Sequence, residues 1–348
     1  MQHPSAGKRV TLQDIAKKTG YSLTAVSRAL RNMSDIGPEA TSYIQQTAKE
    51  MGYVANQTAV ALRYGRTNII TVIVVNLTNP YFSIITNLIQ LAAHEMGYSL
   101  IIVCSRDDPN LEQQLIEQAI ARRSDGVLLF PSRGSGRSIE MLQAAHVPFV
   151  LLSSTLPPYQ TDSVIIDDEQ GGYIAGMHLI EAGCKKVAFL ATSNSAPSYA
   201  PRCKGFLRAC DKADIAPDGR LLYTFAYEDV NSDPANPNSL SVMLPRLKQE
   251  GVDGLFVFCD IEAWRIMASL QHSSQLNIDD FKIVSFDNID SALTSPIPLC
   301  SVDCGLEYLA RRSIELLRDR IQGDDQPPQT IVCPVELVCR NSCQRTKE

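Results

Sequence analysis

Residues 11–32 read TLQDIAKKTGYSLTAVSRALRN, and they decide the amino-terminal architecture. Thr11 stands before an apolar-periodic run with Asp14 three positions on, the signature of a capping box, and Gly20 supplies the stop. Ser22 caps a second helix in which Val26 and Leu30, four apart, share one face, while Thr24, Ser27, Arg28 and Arg31 fall elsewhere on the cylinder. Two helices joined through Gly20 and Tyr21 match a helix-turn-helix, whose tight turn and small side chains let the second helix project into a DNA major groove. A third helix opens at Pro38, which suits a first turn, and runs through Ile44, Ala48 and Met51 to Gly52.

The charge distribution points the same way. Residues 1–66 carry nine Lys and Arg against four acids, a balance of +5, and the rest carries 23 against 34, a balance of −11. A small basic module on a large acidic one suggests a polyanion reader joined to a domain with a different task. With 348 residues and 45% hydrophobic content, two or three domains are expected. No run of 18 apolar residues offers a membrane span, and MQHPSAGKRV lacks the apolar core of a secretory signal, so a cytoplasmic protein is expected. Ten Cys are scattered without a CxxC pair and are expected to be reduced thiols.

From Ile69 onward, short apolar runs alternate with helical stretches. IITVIVV, YSLIIVC, GVLLF and PFVLLSS are separated by 79–97, 109–123 and 136–145, and a second series follows in VAFLAT, LLYTFAY, DGLFVFC and FKIVSF. Strands apolar throughout belong to parallel sheets covered by helices on both faces. Two doubly wound lobes of this kind place a ligand cleft between them, near the carboxyl ends of the strands. Asn79-Pro80-Tyr81-Phe82 follows the first strand, where aromatic faces could stack on a sugar ring or a nucleobase. Neither GxSxG nor a P-loop occurs, the five His are isolated, and the pairs Asp107-Asp108, Asp279-Asp280 and Asp324-Asp325 read as solvated turns, so no enzyme and no cofactor is expected. Cys300 and Cys304 in CSVDC have a spacing that suits a metal on a helix, but without a neighbouring His or second Cys pair no metal is expected.

TLQDIAKKTGYSLTAVSRAL, EMGYVANQTAVALRYGRTNIITVIVVNLTNPYF, RRSDGVLLFPS, IDDEQGGYIAGMHLI, PRCKGF and IVSFDNID resemble the recurring segments of the lactose-repressor family of bacterial transcription regulators, from about Val10 through the whole chain. The resemblance implies an all-α helix-turn-helix domain over 1–55, a hinge helix and linker over 56–66, an effector-binding and dimerisation body over 67–340, and a tail over 341–348. The body would have the fold of periplasmic sugar-binding proteins, with crossovers near 166, 298 and 327. Leu23, Thr24 and Arg28 fall on the base-reading positions of the second helix, with Thr11, Ser22 and Ser27 placed for phosphates. The hinge spans Asn56 to Arg63, where Leu62 matches a leucine that is wedged into the minor groove. Ala55 and Val60 stand where the family often has Pro and Arg.

For the effector, the resemblance points to Asn79, Tyr81 and Phe82, to Arg202 as a clamp, and to Asp287 as its carboxylate, expected on opposite lobes. Asp167 or Asp168 after VII, and Asp260 after FVFC, are further candidates, and Cys259 replaces a frequent Asn. The expected protein is a homodimer, since the tail lacks a leucine heptad. It would bind double-stranded operator DNA, repress a carbohydrate or related catabolic operon, and respond to a sugar, sugar phosphate or nucleobase-like effector. A solute-binding protein for a transporter is disfavoured by the basic module, and a sugar-processing enzyme by the lack of a nucleophile or metal constellation.

Overall fold

The computed structural model describes residues 10–54, 66–192, 196–225, 236, 238–289 and 298–343. The chain divides into two compact units, Met1–Thr67 and Asn68–Glu348. In the first, α1 (Leu12–Thr19), α2 (Leu23–Ala29) and α3 (Pro38–Glu50) enclose a core of Ile15, Val26, Ala29, Ile44 and Ala48. The capping box is formed: the amide of Thr11 donates to Asp14 Oδ2 at 2.9 Å, and Thr11 Oγ1 accepts from the amide of Asp14 at 3.4 Å. Gly20 ends α1 with φ +76°, a conformation that a side chain would strain. The hinge residues Ala55, Asn56, Val60 and Leu62 lie outside the described residues.

The second unit holds two six-stranded sheets. The first contains β1 (Ile69–Val74), β2 (Ser99–Cys104), β3 (Gly126–Leu129), β4 (Phe149–Leu152), β5 (Ser163–Ile166) and, from far down the chain, β11 (Thr330–Cys333). Its order is β11-β5-β4-β3-β1-β2 and every pairing is parallel. The second contains β6 (Val187–Ala191), β7 (Arg220–Thr224), β8 (Gly254–Val257), β9 (Lys282–Asp287), β10 (Cys300–Asp303) and β12 (Glu336–Val338), in the order β12-β10-β9-β8-β6-β7, with only β12 antiparallel.

Helices α4 (Pro80–Glu95), α5 (Pro109–Ala121), α6 (Gly136–Ala144) and α11 (Leu306–Ile321) belong to the first lobe. α7 (Asp168–Glu181), α8 (Tyr199–Lys212), α9 (Leu240–Gln249) and α10 (Asp260–Gln271) belong to the second. The apolar runs read as expected for covered strands: Ile70, Val72 and Val74 pack into one core layer while Ile73, with Val127 and Leu129, packs into another.

The chain passes between lobes at Asp167, at 304–305 and at 334–335, so the second and third crossings lie beyond the expected positions near 298 and 327. The reason is that CSVDC is strand β10, paired with β9 through Ser301 and Ser285, and the turn comes after it at Gly305, φ +61°. The stretch from Ile331 to Arg340 holds parts of two strands in different sheets, β11 and β12. Pro334 separates them, having no N–H to continue a ladder. Nor is 341–348 a free tail throughout: Ser342 Oγ accepts from the amide of Cys300 at 2.8 Å and donates to the carbonyl of Ile283 at 2.6 Å, so the packed body reaches at least Cys343.

One contact positions the cleft. A Cβ on Gly205 would overlap the carbonyl oxygen of Glu169, and a Cβ on Gly172 would overlap that of Arg202, so α7 and α8 meet backbone to backbone. That approach brings Asp168 and Arg202 together. Gly205→Ala is therefore expected to destabilise the body by about 3 kcal/mol, the upper end of overpacking costs. The midpoint of urea unfolding measures this, and an unchanged midpoint would show that the helices separate freely.

Candidate functional site

A cleft of about 850 Å³ is lined by residues from the carboxyl ends of strands in both lobes. Arg202, on α8 and only 4% exposed, forms one wall. Its Nε donates to Asp168 Oδ1 at 2.8 Å, its Nη1 donates to the carbonyl of Phe258, and its Nη2 lies 3.9 Å from Asp287 Oδ1. The guanidinium carbon stands 3.5 Å from the ring centre of Phe286 and 4.6 Å from that of Phe258. Burial works against the charge, but Asp168 and Asp287 more than offset it and Arg202 stays protonated.

Asp287 closes β9 with φ +106°, a strained backbone for a residue with a side chain. Burial pushes its carboxyl well above the ordinary range, Arg202 pulls it back, and Asp260, Asp168 and Glu262 push it up further. The carboxyl of Asp168 is raised as well, by burial first and against Arg202. Arg202 and Asp287 were expected on opposite lobes. They share the second lobe, because α8 and β9 both follow the first crossing.

Of the two acids at that crossing, Asp168 reaches Arg202 and lines the cleft, whereas Asp167 caps α7 by accepting from the amide of Gln170 at 3.0 Å. Asp260 is fully buried behind the site, accepting from Ser301 Oγ at 2.7 Å, from the amide of Ile289 at 2.9 Å and from Ser285 Oγ. It braces β9 and β10 and does not line the cleft.

The facing wall comes from the first lobe. Tyr81 pairs its hydroxyl with Ser153 Oγ at 2.9 Å, and Phe82 stands edge-on to Tyr81 and to Phe130, with ring centres 5.1 and 5.4 Å apart. Asn79 lines the cleft and also caps α4, its Oδ1 accepting from the amide of Tyr81 at 3.0 Å. Asp107 is an exposed turn residue, as its sequence reads, and it also lines the cleft, bridged by Arg133 at 3.3 Å. Cys259 also lines the cleft, its thiol pushed well up by burial.

Glu262, in the first turn of α10, is the acid that the sequence reading missed. It is 4% exposed and accepts from the amide of Thr192 at 3.2 Å and from Thr192 Oγ1. Burial pushes its carboxyl up to about 7. Two residues apart on a helix, Asp260 and Glu262 face different directions: Asp260 meets β9 and β10 and Glu262 meets Thr192 at the end of β6, and both stand behind the cleft lining.

In the first unit, Ser22, Leu23 and Thr24 are exposed at the start of α2, and Ser22 Oγ accepts from the amide of Ala25 at 3.2 Å. Arg28 is bridged to Asp35 at 2.6 Å, and Ser27 Oγ accepts from Arg31 Nη2 at 3.2 Å. Thr11 is exposed and bonded to Asp14, while Asn56 and Leu62 fall outside the described residues.

Residues 11–56 match the model for bacterial regulatory proteins of the lacI family, residues 67–218 that for periplasmic binding proteins and the sugar binding domain of the LacI family, and residues 177–343 a periplasmic binding protein-like domain. The chain belongs to the LacI family. This LacI-family protein is thus a DNA-binding transcriptional regulator with a ligand-binding body. It is 28% identical to the HTH-type transcriptional regulator DegA of Bacillus subtilis over 338 residues, 96% of this chain and 98% of that one. It is 25% identical to the HTH-type transcriptional repressor PurR of Mannheimia succiniciproducens over 336 residues, 96% and 99% of the two chains. Among solved structures it resembles a LacI-family regulator from Enterococcus faecium with bound ribose, at TM-score 0.69 and 26% identity over 79% of this chain and 98% of that one. Among the described residues, no helix is long and apolar enough to cross a membrane.

The raised carboxyl of Glu262 gives the regulator a pH signature. Between its ordinary 4.5 and about 7, the folded chain holds a proton that the unfolded chain releases, so stability falls as pH rises through that window. The loss is roughly 3 kcal/mol for a shift of this size. Glu262→Gln keeps an acceptor for Thr192 and should flatten the slope in urea melts taken from pH 4.5 to 7. A profile as steep as before would place the titration on another group.

Proposed function

We propose that this regulator is a repressor that binds a pseudo-palindromic operator as a homodimer and is controlled by a neutral sugar held in the cleft. The observation that carries the reading is the pairing of Arg202 with Asp168 and Asp287 on one wall against Tyr81, Phe82 and Phe130 on the other. Sugar hydroxyls donate to carboxylates and accept from a guanidinium, and the C–H face of a pyranose or furanose ring covers aromatic rings. Arg106, Arg133 and Arg202 are matched by Asp107, Asp168 and Asp287 in the lining, which favours an uncharged ligand. The related regulator with bound ribose supports the same class. A sugar phosphate is the second reading, favoured by the exposed Arg106 and Arg133.

On the DNA side, Leu23 and Thr24 are free to meet base edges, and Arg28 must leave Asp35 to do so. An exposed ion pair is worth about 0–1 kcal/mol, whereas a bidentate guanine contact discriminates by about 1–3 kcal/mol, so the base wins. A successful repressor would then give two results. Selection from a random duplex library should enrich a pseudo-palindrome bound by the dimer, and one neutral pentose or hexose in a panel should change its affinity at least tenfold. Response to phosphorylated sugars alone would favour the second reading, and failure to enrich any duplex would overturn the proposal.

Arg28→Ala should weaken the selected operator by about 1–3 kcal/mol and relax preference at one base pair in each half-site. Equal weakening on every duplex would make Arg28 a phosphate contact instead. Arg202→Lys keeps a cation between the two acids but loses the planar fork, so the active sugar should bind at least tenfold more weakly while operator affinity stays unchanged. Calorimetry with that sugar decides the point, and full retention of affinity would remove Arg202 from the ligand site.

A further inference from the structure

The second lobe carries another convergence of side chains, away from the cleft lining. His178 stands in the last turn of α7, Cys300 opens β10, and Cys339 and Cys343 follow β12. The donor atoms of His178, Cys300 and Cys343 all lie within 4.8 Å of one another. Cys339 Sγ lies 3.7 Å from His178 Nε2 and 4.0 Å from Cys300 Sγ. In the sequence, CSVDC offers Cys300 and Cys304 as neighbours, but Cys304 turns away to Asp287, 3.9 Å from its Oδ1, and takes no part.

We propose that His178, Cys300, Cys339 and Cys343 form a zinc site that clasps the carboxyl-terminal strand of the second sheet to α7 and β10. Four ligands bound tetrahedrally at zinc bond lengths leave sulfurs ~3.8 Å apart and nitrogen ~3.6 Å from sulfur, and the Cys300–Cys339 and Cys339–His178 spacings are close to these values. One imidazole and three thiols are a borderline-soft donor set, which selects zinc over magnesium or calcium.

The surroundings suit thiolates. The amide of Arg340 donates to Cys300 Sγ at 3.1 Å. Zinc with three thiolates and a neutral imidazole carries one net negative charge, and Arg340 supplies a cation from the same segment. Cys339 is exposed and His178 half-buried, so a metal can enter from solvent, and binding displaces the remaining thiol protons into it.

A disulfide between Cys300 and Cys339 is the competing chemistry. It would need the two sulfurs to close from 4.0 Å to a bond of about 2.05 Å and an oxidant to take two electrons, and it would leave the approach of His178 and Cys343 without a purpose.

Cobalt(II) titrated into the full-length protein under reducing conditions tests the proposal. One equivalent per chain should bind with thiolate-to-cobalt charge transfer and the intense visible bands of a tetrahedral ion, and zinc should displace it. Cys300→Ser and Cys343→Ser should abolish the charge-transfer band, and Cys104→Ser, in the other lobe, should keep it. Because Cys300 and Cys343 are buried and their variants risk misfolding, His178→Ala is the second probe, with an expected loss of at least tenfold in cobalt affinity and an unchanged far-ultraviolet circular dichroism spectrum. The proposal is overturned if the wild-type chain gives no charge-transfer band, if cobalt affinity survives in His178→Ala, or if peptide mapping of the non-reduced protein finds Cys300 joined to Cys339.

Discussion

A single buried cation organises the second lobe. Taking a guanidinium out of water costs several kcal/mol unless its surroundings replace the lost hydration, and Arg202 meets that condition with two carboxylates, a backbone carbonyl and two aromatic faces. Those partners come from the start of α7, the end of β9 and the loop after β8. Arg202 therefore ties the first crossing, the cleft floor and the neighbouring strand end to one point. The arrangement depends on α8 lying against α7 at backbone distance, which only glycine at 172 and 205 permits. A residue that reads from the sequence as a ligand clamp is also the element that holds the walls of its own site.

The acids around Arg202 outnumber it, and this shapes what the cleft accepts. Asp168, Asp287 and Glu262 are all raised, by burial first, and the field of each neighbour adds to the shift of Asp287. An anion placed beside them would raise them further and would meet a wall already rich in negative charge. A neutral ligand with hydroxyls can donate to whichever acid is ionised and accept from whichever is protonated. At the mouth Asp107 is ion-paired with Arg133, so it adds no uncompensated negative charge there.

The legible parts of the fold were those specified locally. A capping box at Thr11 and Asp14, a left-handed stop at Gly20 and fully apolar runs such as IITVIVV each carry their meaning within a few residues. β10 was not legible, because CSVDC mixes small polar and apolar residues and becomes a strand only through its pairing with β9 and β12. The same is true of the choice between Asp167 and Asp168: adjacent residues at a helix start differ in direction by about 100°, and the one taken by the cap is lost to the cleft. Arg202 and Asp287 were recognisable as a pair, but the lobe that holds each follows from the topology of the crossings. For the cluster of His178, Cys300, Cys339 and Cys343 the sequence offers only the Cys pair of CRNSC, and its meeting with Cys300 and His178 from two other segments follows from the fold.

These two centres of the second lobe are joined by hydrogen bonds. Asp260 accepts from Ser301, and Ser301 Oγ accepts from the amide of Asn288 at 3.0 Å. Asn288 Nδ2 donates to Asp303 at 2.7 Å, and Asn288 Oδ1 accepts from Arg340 Nη2 at 2.7 Å, in the segment that carries Cys339 and Cys343. Asn288 is also the residue after Asp287, whose strained φ fixes the carboxylate at the cleft floor. Asn288 thus links the strand end at the cleft floor to Arg340 through a side-chain bond. That bond anchors the segment after β12, the strand entered directly from the third crossing.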